Sequence, residues 1–172
     1  MVLPPRERQA LAMRQKLGGN ENPDVAASLI DLVLIRSLQH DPGSAELLLR
    51  QALEIRKKEL SAGHRAMVSA ETRLGEVLID EGKAAEAATL LRQAAKEIHE
   101  VPFSLSAWQI AEPEIALGAA LAAVGEMTEA ERLLKNSDSR LKDYPEAALH
   151  RQILTRAQGA SRKSLYSRLS GK

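Results

Sequence analysis

A pattern of residues recurs in this chain at a spacing of 42 positions. The stretch RQALAMR at 8–14 returns as RQALEIR at 50–56. Two later stretches, 74–94 and 117–135, share a Leu-Gly pair, a second glycine, an alanine and a Leu-Leu pair at matching places. Units that repeat in this way cannot each bury an apolar face alone, so they must stack on their neighbours. The repeat therefore predicts a stack of similar units, which favours a surface that holds a partner over a pocket for catalysis.

The composition favours helices as the repeated element. The chain of 172 residues is 44% hydrophobic but only 2% aromatic, so its core must be built from aliphatic side chains, which suits closely packed helices. Apolar residues recur at helical spacing nearly throughout. Breaks in the pattern separate eight predicted helices, at about 6–16, 22–39, 44–60, 64–80, 84–99, 106–124, 128–141 and 145–157.

We therefore predict an all-α fold, a stack of helix hairpins that forms one domain over 1–172. The hairpin units are expected at about 22–60, 64–99 and 106–142. A leading helix at 6–16 would precede them, and a basic C-terminal segment at 145–172 would contain a capping helix, because a stack needs its last apolar face covered.

The sequence carries no targeting signal and no cysteine. Disulfides and thiolate metal sites are therefore excluded. No apolar run approaches the ~20 residues that span a bilayer, and the charged N-terminus lacks the apolar stretch of a signal peptide. These features predict a cytoplasmic protein without a membrane span.

Charge is distributed unevenly along the chain. Residues 1–146 carry 18 basic and 23 acidic side chains, a net charge of −5, whereas residues 147–172 carry six basic side chains and no acidic one. A basic tail of this kind can contact nucleic acid, an anionic surface or an acidic partner. The interpretation we favour is that the tail lies against the acidic body or is solvated, so nucleic acid is not the expected partner.

The second unit carries the residues of a known helical repeat. The pattern resembles the tetratricopeptide repeat and consists of Leu74, Gly75, Leu78, Gly82, Ala87, Leu91 and Ala94. The resemblance implies that the small residues stand where the two helices of a hairpin cross and that the large ones fill the hairpin.

Two further units resemble this pattern less closely. The third unit matches it except that Ser137 stands where alanine is usual. The first unit departs at Val33 and His40, which replace glycines, and at Arg36, which replaces an apolar residue. These departures predict that the first hairpin is the looser one, or an end unit with a solvated side.

The spacing of 42 and the RQALEIR stretch resemble the long repeats of kinesin light chains and of bacterial arrays, often found behind serine/threonine kinase domains. The resemblance implies a right-handed α-α superhelix. It also implies protein–protein interaction without catalysis, with a peptide held in a concave groove lined by the first helix of each hairpin. The residues that it assigns to this groove are Ala27, Ile30, Asp31, Leu34 and Leu38 in the first unit, Ser69, Thr72, Arg73, Glu76 and Asp80 in the second, and Glu112, Ile115, Ala116 and Ala119 in the third.

Kinesin light chains use asparagines on this face to hold a peptide backbone, but here the matching residues are Asp31, Arg73 and Ala116. The Lys/Asn clamp that other family members use for a C-terminal carboxylate is also missing. Arg73 is the one evident cation of the predicted groove and could pair with an acidic ligand group. The alternative, which we favour, is an intramolecular pair with Glu76 or Glu112.

The sequence offers no motif for other chemistry. The histidines His40, His64, His99 and His150 share no helix face, and no His-Glu-x-x-His is present, so no metal is expected. No nucleophile motif or phosphate-binding loop occurs. We therefore predict no catalytic residue, no cofactor and no small-molecule substrate.

Phe103 and Trp108 flank the loop between the second and third units. An exposed pair could anchor a partner, because Trp is a common hot-spot residue. We favour the alternative that they fill a gap in the core, since burial of a Trp stabilises an aliphatic core by ~25 cal/mol per Å².

The stretch at 8–16 looks like a second helix without its first, which suggests a fragment or the end of a longer array. By resemblance, the chain would belong to a larger signalling protein. Self-association through the open ends of the array stays open as an alternative.

Overall fold

The computed structural model describes residues 22–61, 63–100 and 105–142. It also describes four single residues, Gln9, Ala12, Met13 and Lys16, and these four are helical. Helices and no strand occur among these residues. In chain order they are α1 (Pro23–Leu38), α2 (Pro42–Arg56), α3 (Arg65–Asp80), α4 (Ala84–His99), α5 (Ala107–Val124) and α6 (Met127–Leu141). Most predicted boundaries hold within two residues, but α2 ends at Arg56 rather than near Leu60. The predicted cap at 145–172 and the Phe103 loop lie outside the described residues.

Polar side chains cap the N-termini of three of these helices. The Asn22 side chain accepts a hydrogen bond from the Asp24 amide at 2.8 Å, and Pro23 fills the first turn, where no amide hydrogen is needed. The Asp41 carboxylate accepts from the Ser44 amide at 3.1 Å, and His64 Nδ1 accepts from the Ala66 amide at 3.1 Å. Because the first amides of a helix lack partners within it, such caps stabilise a helix by ~1 kcal/mol each.

The first helix of each hairpin is followed by a residue whose backbone adopts a left-handed conformation, with positive φ. Gly82 and Gly125 adopt φ of 78° and 91°, and His40, at the matching place in the first hairpin, adopts φ of 54°. The helix therefore stops at the same repeat position in all three hairpins, whether or not the residue there is glycine.

The chain divides into two compact units. The first unit, Met1–Ala62, contains the first hairpin, and the second unit, Gly63–Lys172, contains the other two hairpins. In the first unit α1 packs on α2 around a core of Val25, Ala26, Leu29, Ala52 and Ile55. In the second unit each helix packs on the next, and α3 also packs on α5.

Small residues allow the paired helices to approach closely. A Cβ added at Gly75 would lie 2.5 Å from Leu91 Cγ, and one added at Gly118 would lie 2.7 Å from Leu134 Cδ2. Alanines stand at the matching crossing positions of the second helices and are fully buried, namely Ala45, Ala87 and Ala130. The small residues of the repeat therefore have the packing role that the sequence predicts.

Helix α5 is enclosed, because α3, α4 and α6 all pack against it. Alanines occur along the whole of α5, and their small side chains let the three neighbouring helices approach its backbone closely. Half-buried Trp108, near its start, packs against the cluster of Ala111, Ile115, Leu134 and Leu141. This placement agrees with the interpretation of Trp108 as a core filler.

Candidate functional site

In the first unit, the predicted groove residues form a partly apolar stripe on α1. Leu34 and Leu38 are 58% and 74% exposed and stand one helical turn apart. Asp31 is exposed beside them, and Ile30 is half-buried against the core. The described chain thus presents two large leucines to the surface from the first helix of this hairpin.

In the second unit, the predicted face of α3 is polar. Arg73 and Asp80 are exposed, and Ser69 and Glu76 are half-buried. Because helical residues three and four apart share one face, these four side chains form a single stripe along α3. On α5, Glu112 and Ala119 are half-buried.

Two residues assigned to the groove, Thr72 and Ile115, are instead part of the core. Thr72 is completely buried, and its hydroxyl donates to the Val68 carbonyl at 2.8 Å. Ile115 is 1% exposed and packs among aliphatic side chains. Each stands three residues after the first member of its stripe, which rotates it by about 60° towards the flank that faces a neighbouring helix. Ala116 is also buried, so α5 exposes less of the predicted face than α3 does.

The electrostatics of the α3 face are dominated by one carboxyl group. Burial, together with the negative charges of Glu112 and Asp80, raises the pKa of Glu76 from its usual 4.5 to about 7, while Arg73 acts in the opposite direction. A carboxyl group with this pKa is partly protonated at neutral pH. The charge of this face therefore changes within the physiological pH range.

A buried polar network, which the sequence pattern did not reveal, joins α4, α5 and α6. Glu114 is 6% exposed, and its Oε1 lies 2.9 Å from His99 Nε2. Its Oε2 accepts from the Ser137 hydroxyl at 3.1 Å and from Arg140 Nη1. Ser137 stands where the repeat usually has alanine, and this departure from the pattern was the sequence feature that could have indicated the network. Since a buried carboxylate needs partners, the network stabilises the packing of three helices.

The described residues show no arrangement suited to metal binding and no membrane-crossing helix. No group of three or more His, Asp and Glu side chains among them could hold a metal ion. Within the same ranges, no helix is both long and apolar enough to cross a bilayer.

Comparisons with known proteins agree with this geometry. The tetratricopeptide repeat family matches residues 8–58. The crystal structure of BtubC (BKLC) from P. vanneervenii has a TM-score of 0.72 and 19% identity, covering 80% of this chain and 56% of that one. This chain thus spans just over half the length of that protein.

Two further structures have the same fold. They are of a Podosopora anserina putative kinesin light chain with nearly identical TPR-like repeats. One has a TM-score of 0.69 and 22% identity, and covers 94% of this chain and 81% of that one. The other has a TM-score of 0.67 and 22% identity, and covers 93% and 81%. No curated protein matches the sequence.

Tetratricopeptide repeats generally mediate protein–protein interaction, and this fold is typically a non-catalytic scaffold. The match at 8–58 covers the first hairpin, and the structural likeness extends over most of the chain. Residues 8–58 therefore match the tetratricopeptide repeat, and the described helices have the fold of kinesin light chain-like repeat structures.

Proposed function

We propose that the chain is an interaction scaffold in which the first helix of a hairpin holds a segment of a partner protein. The observation that carries this proposal is the pair of exposed leucines, Leu34 and Leu38, on α1. Large apolar side chains that stand together on a surface mark interaction sites, and leucines one turn apart suit an apolar partner segment.

The α3 face of the second unit, taken by itself, would offer polar contacts to a partner segment. Ser69, Arg73 and Asp80 reach the surface there, so this face presents both hydrogen-bonding groups and charges. Polar groups of this kind add orientation and specificity more than affinity.

A library of random 12-residue peptides displayed on phage tests this proposal with the full chain as the target. Peptides that are enriched on the chain would be synthesised and their Kd values measured. The double variant Leu34→Ser/Leu38→Ser should weaken binding at least tenfold, since truncating central apolar contacts removes more than about 1.4 kcal/mol.

The matched control is Leu47→Ser. Leu47 is 71% exposed on α2, the second helix of the same hairpin, so it differs from Leu34 in position rather than in exposure. The control should bind the peptides normally. Equal weakening by both variants, or no enriched peptide at all, would remove the basis of the proposal.

Self-association through the same leucines is the alternative use of this surface. Light scattering of the purified chain, against a monomer mass of 18.7 kDa, separates the two. A dimer that Leu34→Ser/Leu38→Ser dissociates would identify a second copy as the occupant.

We place this scaffold, as one continuous repeat domain, in a cytoplasmic signalling protein. The support is the resemblance to arrays that accompany bacterial kinase domains. The coding sequence around this segment and the cellular fraction that contains the protein test this context. A neighbouring transport or secretion module would contradict it.

A further inference from the structure

The exposed leucines of α1 belong to a longer row of residues that carries a single charge. This row, here called the α1 stripe, consists of Ala27, Ile30, Asp31, Leu34 and Leu38. Because successive helical residues are rotated by about 100°, the five fall within an arc of about 100° around α1. Ala27 and Ile30 are half-buried and the other three are exposed. From end to end the stripe covers three helical turns, or about 17 Å.

Asp31, the charged residue of the α1 stripe, has no partner in the described part of the chain. Its carboxylate makes neither a hydrogen bond nor an ion pair there. Arg36 stands about 140° away around the helix and lies 3.6 Å from Asp41 instead. Water solvates Asp31 while the stripe is open, but a partner that covers the leucines also withdraws this carboxylate from water. The partner must therefore bring a cation to that point.

A second copy of the chain, docked through the same face, does not meet this need. The α1 stripe contains no lysine, arginine or histidine. Two copies packed stripe to stripe would therefore bring two Asp31 carboxylates into one apolar interface without a cation, and unpaired like charges oppose association. Charge complementarity thus favours a different chain that carries a basic residue.

The side chains of the α1 stripe favour a helical partner over an extended one. None of them donates a hydrogen bond, and the one acceptor is the Asp31 carboxylate. An extended segment on Leu34 and Leu38 would place its backbone N–H and C=O groups against apolar side chains, where groups without partners are costly to bury. The described ranges also contain no strand whose edge could pair with such a segment. A helix satisfies its own backbone groups and presents apolar side chains three and four residues apart.

We propose that the α1 stripe binds a short amphipathic helix of the partner, whose apolar side covers Leu34 and Leu38 and whose lysine or arginine pairs with Asp31. This inference rests on the proposed function, since it names the kind of segment that α1 holds. About three turns of helix, or some 12 residues, match the length of the stripe.

Peptides from the phage library whose binding needs Leu34 and Leu38 test the conformation on the full chain. Proline at a middle position outside the apolar spacing should weaken binding at least tenfold, because it breaks a helix. Alanine at the same position is the matched control and should preserve the Kd. The circular dichroism of the mixture should also show more helix than the sum of the separate chain and peptide. Equal tolerance of proline and alanine would mean that the bound segment is extended.

An exchange of charges tests the pair with Asp31. The peptides should contain Lys or Arg, and Asp31→Lys should weaken their binding about tenfold. Replacing the basic residue of the peptide by Glu should weaken binding to the parent chain and restore binding to Asp31→Lys. A folding defect would not be rescued in this way.

The matched control for this exchange is Glu54→Lys, which changes the net charge by the same amount. Glu54 is exposed on α2, seven residues after Leu47 and so on the same side of that helix. The control should bind the original peptides normally and gain nothing from the Glu-containing ones. Equal weakening by both lysine variants would show that overall charge, and not a contact with Asp31, governs binding.

The outcomes separate the two proposals. If no peptide is enriched, or if Leu34→Ser/Leu38→Ser binds normally, the proposed function itself fails. If peptides depend on the leucines but tolerate proline, lack a basic residue or bind Asp31→Lys as tightly as the parent chain, only the present inference fails. A dimer of the chain that Leu34→Ser/Leu38→Ser dissociates would overturn the choice of a different chain as the occupant.

Discussion

Replacement of Gly75 by alanine should destabilise the second unit, although alanine is the better helix former. The three atoms nearest to an added Cβ are Leu91 Cγ, Cδ2 and Cδ1, at 2.5, 2.6 and 2.7 Å. Carbon atoms in contact normally stand ~3.5–4.0 Å apart, so the end of Leu91 would have to move by about 1 Å. Leu91 is fully buried and has little room to do so.

The size of the effect follows from two opposing contributions. Alanine in place of glycine inside a helix stabilises it by ~1 kcal/mol. Overpacking of a dense core costs ~1–3 kcal/mol, and a displacement of this size points to the upper part, about 2–3 kcal/mol. The free energy of unfolding should therefore fall by about 1–2 kcal/mol in Gly75→Ala.

The effect of Gly75→Ala on the free energy of unfolding should change sign when Leu91 is replaced by alanine. Leu91→Ala alone should lower the free energy of unfolding by ~2–5 kcal/mol. It also removes all three clashing atoms, so adding Gly75→Ala to it should now stabilise the protein by ~1 kcal/mol. The resulting coupling between the two positions is about 2–3 kcal/mol.

Urea unfolding followed by Trp108 fluorescence measures this double-mutant cycle. Trp108 is the single tryptophan of the sequence and lies in the second unit, so its signal reports the relevant helices. Gly118→Ala with Leu134→Ala should repeat the pattern, because Leu134 Cδ2 and Cγ lie 2.7 and 2.8 Å from the added Cβ. Glu131→Ala, an exposed change on α6, should combine additively with Leu91→Ala. If Gly75→Ala stabilises the parent chain, or if its effect keeps one sign in both backgrounds, close helix crossing is not the reason for glycine there.

Three further predictions concern single residues. His40→Gly should raise the stability of the first unit by ~1 kcal/mol, because φ of 54° strains any residue with a Cβ; hydrogen exchange of α1 and α2 amides measures it. Arg140→Ala should lower the stability of the second unit by ~1–3 kcal/mol, because buried Glu114 loses a charged donor; urea unfolding measures it. Stability of the second unit should fall as the pH rises from 5 to 8, since Glu76 has its pKa raised in the folded state and so favours folding most when protonated. The loss is at most ~3 kcal/mol, and Glu76→Gln should flatten the profile.

Each of these predictions has an outcome that contradicts it. In His40→Gly, amide hydrogen exchange should become slower only in the first unit. An unchanged exchange rate in that unit would show that the left-handed conformation of His40 is unstrained. Glu114→Gln combined with Arg140→Ala should be less destabilising than Arg140→Ala alone, because no buried charge is left unpaired. A pH profile that is identical in Glu76→Gln and the parent chain would mean that another group titrates.

The helices could be predicted from the sequence because their signals are local. Asn22 and Pro23 begin α1 through contacts within one turn, and Gly82 ends α3 through its own φ. The crossing role of Gly75 was also predictable, since the same small residue returns at Gly118 in the next repeat. Such features need no knowledge of the neighbouring helix beyond the fact that one exists.

The candidate surface was predicted less completely. Assignment by repeat position selected Arg73 and Asp80, which are exposed on α3, but it also selected Thr72, which is buried. A helical position near the edge of a stripe turns outward or inward according to how the next helix is rotated against it. Sequence periodicity alone does not contain that angle.

What this sequence determines by itself is the set of helix hairpins and the small residues at which they cross, because caps, turns and periodicity act over a few neighbouring residues. Only the tertiary structure decides that Glu76 is partly withdrawn from water, and that Glu114 contacts His99, Ser137 and Arg140. Desolvation and pairing depend on groups that are far apart along the chain, so they exist only once the helices have packed.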